Sequence, residues 1–309
     1  SIDDLPMRSI TLHQLQIFQV AAKHLSFTRA AEELYLTQPT ISMQIKQLSQ
    51  SMGVPLFEQV GKRLYLTEAG QALERTCAHI FHHLDELETT LADLQGLKQG
   101  RLSLCVVTTA KYFVPRLLGP FCQQYPGIEV SLQVMNRHQV LERLMDNRDD
   151  LYVMGLPPHD LDVVAEPFLE NPLVVLAPLN HPLVGQKRIP LARLAEEPFL
   201  AREVGSGTRM AVQRLFDQHG LRPKIRMELG SSEAIRQGIV GGLGISVLSQ
   251  HVLALGGWEH HLAILDVEGF PIQGFWYLVH LKQKRLSVVA KAFAEFLLKQ
   301  APPTAAKTG

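Results

Sequence analysis

Long apolar runs are missing. No stretch approaches the roughly 20 apolar residues of a membrane-spanning helix, so a membrane protein of helical spans is not expected. Cysteine is scarce: Cys77, Cys105 and Cys122 are scattered through 309 residues. They form neither a CxxC pair nor a disulfide framework, which suits a reducing cytosol. The opening SIDDLPMRSI has an acidic pair where a secretory signal carries positive charge, and no apolar core follows. A cytoplasmic protein is expected. Net charge is also lacking, since Lys+Arg and Asp+Glu both number 30, so total charge names no partner.

Catalytic motifs are absent too. GSGTRM and GGLGIS lack the third glycine of a dinucleotide fingerprint. No phosphate-loop lysine motif and no GxSxG elbow occur. His79 and His83 have the i, i+4 spacing of a metal pair but no third ligand nearby, and read as solvated helix residues. No metal site is expected, and a binding protein is favoured over an enzyme. What is present is apolar content of 46% against 19% charged residues, enough for sizeable cores in two or three domains.

Charge is unevenly spread. Residues 8–66 carry six basic side chains and three acidic ones, a balance of +3; residues 67–100 carry two basic and six acidic, a balance of −4. The basic head contains SFTRAAEELYLTQPTISMQIKQL. Leu12, Leu15, Phe18 and Ala22 mark the inner face of a first helix. Ser26 caps a second, over 27–34, and Ala30 and Ala31 allow close approach. YLT is a turn. Thr37 caps a third helix with Pro39 in its first turn, where a missing N–H costs little. Ile41, Ile45, Leu48 and Met52 make that helix's buried stripe.

The opposite face of the third helix carries Gln38, Thr40, Ser42, Met43, Lys46 and Gln47. A solvated face is ordinarily rich in Glu and Lys, but this one has no acid. Short neutral polar groups can bond base edges, and Lys46 can meet a phosphate. Two helices joined by a tight turn, the second with such a face, predict a helix-turn-helix on double-stranded DNA. PLFEQVGKRLYLTEAG then reads as a hairpin turning at Val60-Gly61-Lys62, with Lys62 and Arg63 near the tip of a wing. The plain alternative is a helical bundle with a hairpin.

Leu73, Cys77, Ile80, Leu84, Leu87, Leu91 and Leu94 alternate spacings of 4 and 3 along the next helix. This a/d seam predicts dimerisation with the same helix of a second subunit, placing two heads on two half-sites. After GLKQG, strands and helices alternate to a closing helix over 287–299, predicting an α/β region with a mainly parallel sheet in two lobes. Helices are expected at 111–127, 137–150 and 191–197, among others. Ligands of α/β lobes sit where strands end against helix N-termini. Those junctions offer Thr108, Thr109 and Lys111; Asn136 and Arg137; Arg202, Gly205, Ser206, Gly207, Thr208 and Arg209; and Ser231 and Ser232. Hydroxyls, backbone N–H groups and cations suit an anion.

The run AAEELYLTQPTIS, followed by PLF and LTEAG, resembles the LysR-type transcriptional regulators, and the similarity covers residues 8 to about 299. VVTTAKYFVPRLL, DDLYVMGLPP, LDVVAEPF, GSGTR and LDVEGFPI resemble the CbbR/RbcR-like subgroup that regulates Rubisco and other Calvin-cycle operons. The resemblance implies an N-terminal winged helix-turn-helix over residues 8–66 and a linker/dimerisation helix over 67–100. It further implies a periplasmic-binding-protein-like (type II) effector domain over 101–300, with lobe I at about 101–168 and 273–300 and lobe II at about 169–272. A tetramer built as a dimer of dimers, a dyad operator and contact with RNA polymerase are also implied. So is an effector that is a phosphorylated sugar, phosphoenolpyruvate, a nucleotide or NADPH, and no permanent cofactor. Many members have Arg at the position of Met43 and Glu at that of Ser49, so their operator preference does not transfer. A regulator of another metabolic operon, a solute-binding protein and an enzyme with a DNA-binding appendage are the rival readings.

Overall fold

The computed structural model describes residues 6–97 and 99–300; the acidic pair Asp3-Asp4 and Lys98 lie outside them. Two compact units divide between Thr89 and Thr90. The first holds helices α1 (Leu12–His24), α2 (Phe27–Leu34) and α3 (Gln38–Met52), strands β1 (Phe57–Val60) and β2 (Arg63–Leu66), and most of α4 (Glu68–Asp93).

Side-chain caps start the three short helices. Thr11 accepts from the Gln14 N–H at 3.1 Å, Ser26 from Arg29 at 3.2 Å and Thr37 from Thr40 at 3.3 Å. Each satisfies a donor the helix leaves unpaired. Leu25 and Tyr35 end α1 and α2 in the left-handed conformation. Ile17, Phe18, Ala21, Ala30, Ile41 and Leu48 form a core with no exposed surface. Leu12 is not part of it: it is half exposed, while Ile17 and Ala21 complete the α1 face instead. The first residue of a helix lies beyond the reach of the crossing helices.

β1 and β2 pair antiparallel from Phe57↔Leu66 to Val60↔Arg63, so Gly61 and Lys62 alone make the turn. Behind the wing, Thr67 Oγ1 donates to the Pro55 carbonyl at 2.7 Å and accepts from the Gly70 N–H at 3.0 Å. This draws α4 so close that a Cβ on Gly70 would lie 2.1 Å from the Leu56 carbonyl oxygen.

The second unit comprises β3 (Gly100–Val107), α5 (Val114–Gln124), β4 (Ile128–Met135), α6 (Arg137–Met145), β5 (Leu151–Met154), β6 (Val163–Glu170), β7 (Leu173–Pro178), α7 (Leu191–Leu194), β8 (Pro198–Arg202) and α8 (Gly207–Gln218). It continues through β9 (Lys224–Leu229), α9 (Ser232–Val240), β10 (Ser246–Ser249), β11 (Leu262–Leu265), β12 (Phe275–Leu281) and α10 (Val288–Gln300). Lobe I is built on a sheet of order β4-β3-β5-β12-β6, and lobe II on β10-β7-β11 beside β8-β9.

The pairing is mixed rather than mainly parallel. β3 runs parallel to β4 and β5, and β8 to β9, but β12 is antiparallel to β5 and β6, and β7 to β10 and β11. The cause is a chain that leaves lobe I after β6 and returns through β12. β6 and β11 were not foreseen from the sequence. The expected helix over 111–127 is a 3-10 turn (Thr108–Tyr112) followed by α5, and the other two stop early, at Met145 and Leu194. β7 is buried on both faces: Val175 and Ala177 join one core, Val174 and Leu176 another. That accounts for its unbroken apolar run.

Lobe I also buries a charge. Asp149 accepts from Arg143 Nε and Nη2, both at 2.8 Å, and from Ser103 Oγ at 2.7 Å. Burial alone would raise its pKa, but the bonds from Arg143 and Ser103 outweigh it and hold the carboxyl below the usual range. A depressed pKa contributes stability that is complete above the unfolded value and is lost as pH falls through the folded one. Asp149→Asn is therefore expected to flatten the loss of thermal stability below about pH 4, as read by melting temperature against pH; an unchanged profile would remove this pair from the acid response. Gly70→Ala is expected to destabilise the first unit by about 1–3 kcal/mol, because backbone must shift to admit the methyl. Urea unfolding followed through the head measures it, and a neutral outcome would show that the wing adjusts freely.

Candidate functional site: nucleic-acid interface and ligand cavity

The face of α3 opposite its core presents Gln38, Met43 and Lys46 to solvent, with Ser42 half-buried beside them. Gln38 Nε2 donates to Ser42 Oγ at 2.9 Å. This fixes the amide across one helical turn and leaves its Oε1 and second N–H outward, an acceptor and donor pair. Thr37 and Thr40 hydroxyls bond each other at 2.7 Å, which ties Thr40 to the cap. Pro39 occupies the first turn and presents no donor. Lys62 and Arg63 are both exposed on the wing. Tyr35, whose position was not singled out from the sequence, is 96% exposed in the turn between α2 and α3. Elsewhere in the head Glu33 is engaged, meeting Lys23 at 3.1 Å and His24 at 2.7 Å.

The apolar seam of α4 divides. Leu73 is buried in the head's own core with Cys77, and Ile80 packs against the same cluster. Leu73 is therefore corrected from a dimerisation residue to a core residue, since its surface is already covered within its own unit. Leu84 is half-buried, but Leu87, Leu91 and Leu94 are exposed.

The second unit holds a cavity of about 280 Å³. Lobe I contributes Thr108, Thr109, Arg137 and Trp276; lobe II contributes Arg202, Glu203 and the start of α8 at Ser206, Gly207 and Thr208. Asn171, Leu173, Ile272, Gln273 and Gly274, where the chain crosses between lobes, complete the wall. Arg202 is 5% exposed and bonds Glu203, Ser232 and Thr108. Arg137 donates to the Leu156 carbonyl; burial lowers its pKa, with Asp160 opposing. The indole N–H of Trp276 is buried and has no partner among the described residues. Three cations, four hydroxyls and a helix N-terminus give this cavity the chemistry of an anion site.

Six of the expected junction residues do not line it: Lys111, Asn136, Gly205, Arg209, Ser231 and Ser232. Asn136 is spent on capping α6, accepting from the Gln139 N–H at 3.0 Å. Lys111 is exposed, with its ammonium 5.3 Å from the Tyr112 ring. Arg209 lies elsewhere on α8, donating to the Arg202 carbonyl at 2.7 Å and to Glu228 at 2.8 Å. Neighbours along a helix point in different directions, so a junction's cations do not all share one wall. Missed from the sequence were Trp276, Asn171 and Gln273, which come from crossings that no local motif marks, and Glu203 and Arg214.

Two family models match the chain: the bacterial regulatory helix-turn-helix protein of the lysR family over residues 12–71, and the LysR substrate binding domain over residues 95–302. The chain belongs to the LysR family. This LysR protein is a DNA-binding transcription regulator, not an enzyme. It is 56% identical over 291 residues to the HTH-type transcriptional activator CmpR of Synechocystis, covering 94% of this chain and 96% of that protein. It is 50% identical over 293 residues to the RuBisCO operon transcriptional regulator of Acidithiobacillus ferrooxidans, covering 95% of each. The solved regulatory domain of Synechocystis CcmR in complex with 2-PG matches with a TM-score of 0.65 and 52% identity, over 67% of this chain and 99% of that one. Among the described residues of the LysR chain, no helix is long and apolar enough to cross a membrane.

The outward amide of Gln38 has the donor and acceptor pattern that adenine N7 and N6 complement. Gln38→Ala is expected to cost about 1–3 kcal/mol on the operator and much less on random DNA, whereas Lys46→Ala should weaken both alike. Gel-shift titrations on both DNAs decide, and equal losses for Gln38→Ala would remove it from base reading. For α4, Leu87→Glu is expected to lower the oligomer mass in light scattering without changing the melting of the head, because the side chain is exposed within its own unit. Full retention of mass would assign the seam another partner.

Proposed function

We propose that the protein regulates carbon-fixation genes, Rubisco and Calvin-cycle operons among them, in response to a small phosphorylated anion bound between the lobes of its second unit. The anion-suited cavity carries the effector half of this reading. The identities of 56% and 50% to regulators named for such roles support the gene class. A volume of about 280 Å³ lies just below the range of ligand pockets, roughly 300–1,000 Å³. It suits phosphoenolpyruvate or a short sugar phosphate better than NADPH. The 2-PG of the Synechocystis domain is an anion of that class.

In this reading Thr108, Thr109, Arg137, Arg202, Gly207 and Thr208 hold the anion, and Lys111, Asn136 and Arg209 do not. Thr37, Gln38, Pro39, Thr40, Ser42, Met43 and Lys46 face the major groove, and Lys62 and Arg63 meet the backbone beside it. Paired heads read a dyad operator, with Ile80, Leu84, Leu87, Leu91 and Leu94 in the contact between subunits and a dimer of dimers as the full assembly. An effector touching both lobes favours one angle between them, and it shifts that equilibrium only by its difference in affinity for the two states.

Titration calorimetry with 2-PG, phosphoenolpyruvate and NADPH tests the reading. Arg137→Ala and Arg202→Ala should each cost about 1.5–3 kcal/mol of affinity for the anion that binds, with basal operator binding nearly intact. If neither variant alters any affinity, the cavity is not the effector site.

A further inference from the structure

We propose that Glu203 is a built-in competitor for the anion: its carboxylate takes the fork of Arg202 that an effector's phosphate or carboxylate would take, and the effector binds by exchanging with it. This rests on the cavity being the effector site.

Arg202 ends β8 at the cavity wall. Its Nε donates to Glu203 Oε2 at 2.9 Å and its Nη2 to Oε1 at 2.8 Å. These are the two parallel bonds by which a guanidinium recognises a carboxylate or phosphate. The rest of the group is held from elsewhere: Nη1 donates to Ser232 Oγ at 3.0 Å, and Nη2 reaches Thr108 Oγ1 at 3.5 Å. The cation is thus fixed in place, with its side chain 4% exposed, while the Glu203 side chain is 26% exposed. A guanidinium this buried is costly without a counter-charge, and the next residue in the chain supplies one. Removing it toward water is open to the carboxylate and closed to the arginine. Glu203 is also the sole acid lining the cavity among the described residues, against Arg137, Arg202 and Arg214.

An internal carboxylate sets a selectivity rule. A neutral ligand cannot replace it. A monocarboxylate replaces one charge with one charge and gains little. A phosphorylated acid brings about two or more charges near pH 7 and exceeds what it displaces. Glu203 therefore selects multiply charged phosphorylated acids over the monocarboxylates that abound beside them, and it sets the concentration at which the regulator responds.

The test is calorimetry on the full chain with 2-PG, phosphoenolpyruvate and pyruvate as probes, for wild type, Glu203→Gln and Glu203→Asp. Glu203→Gln should bind the phosphorylated probe about ten-fold or more tighter, the scale of a charged hydrogen bond. It should also acquire measurable pyruvate binding, and its melting temperature without added anion should fall. Affinity and stability moving in opposite directions is what a merely structural residue would not produce. Glu203→Asp, too short to span the fork, should shift in the same direction by less, and it decides the matter if the glutamine variant does not fold. Phosphorylated-probe affinity that is unchanged or weaker, with wild-type binding intact, overturns the competitor role. Failure of wild type to bind any probe overturns the cavity reading itself.

Discussion

Two crossings of the chain, hydrogen-bonded to each other, govern the second unit. Leu173 and Ile272 exchange main-chain bonds of 3.0 and 2.9 Å, and the Asn171 N–H donates to the Gly274 carbonyl at 2.8 Å. No other covalent path joins the lobes, so each residue that lines the cavity is placed by reference to this short antiparallel pair. The pair is itself braced. Asn171 Oδ1 accepts from Ser249 Oγ at 2.6 Å, and a Cβ on Gly155 would lie 3.3 Å from the Asn171 amide nitrogen. A hinge of two bonded strands can flex in angle while its register stays fixed, which is what a cleft needs if both walls are to meet one ligand.

The two functional surfaces solve opposite electrostatic problems. The cavity buries a cation, Arg202, and compensates it with the Glu203 carboxylate and the Ser232 hydroxyl. The head keeps its cations in water on α3 and the wing, and ties an acid such as Glu33 into pairs with its neighbours. Residues 8–66, with a balance of only +3, can therefore show a polyanion the acid-free face of α3, although the whole chain is neutral.

The head was legible because its determinants are local. Ser26 and Thr37 announce helix starts three residues ahead of the N–H groups they cap, and the spacing of Ile41, Ile45 and Leu48 gives the buried face directly. In the second unit local signals placed most strands and the helices behind them. They failed where meaning depends on distant pairing. β6 contains Pro167 and shows little alternation, and it is a strand because β12, more than a hundred residues later, returns beside it. For the same reason Trp276 and Asn171 were invisible as cavity residues. Junction chemistry did find Thr108, Thr109, Arg137 and Arg202. It could not separate Arg202, at the end of β8, from Arg209 on α8, because the way a side chain faces around a helix follows from packing and not from composition.

The close approach of α4 to the wing has a consequence for descent. A side chain at Gly70 meets the Leu56 carbonyl, whereas Met43 and Lys46 stand in water. Met43 and Lys46 are thus separate from the packing that holds the head together. A lineage can revise such exposed positions one residue at a time without passing through an unfolded ancestor.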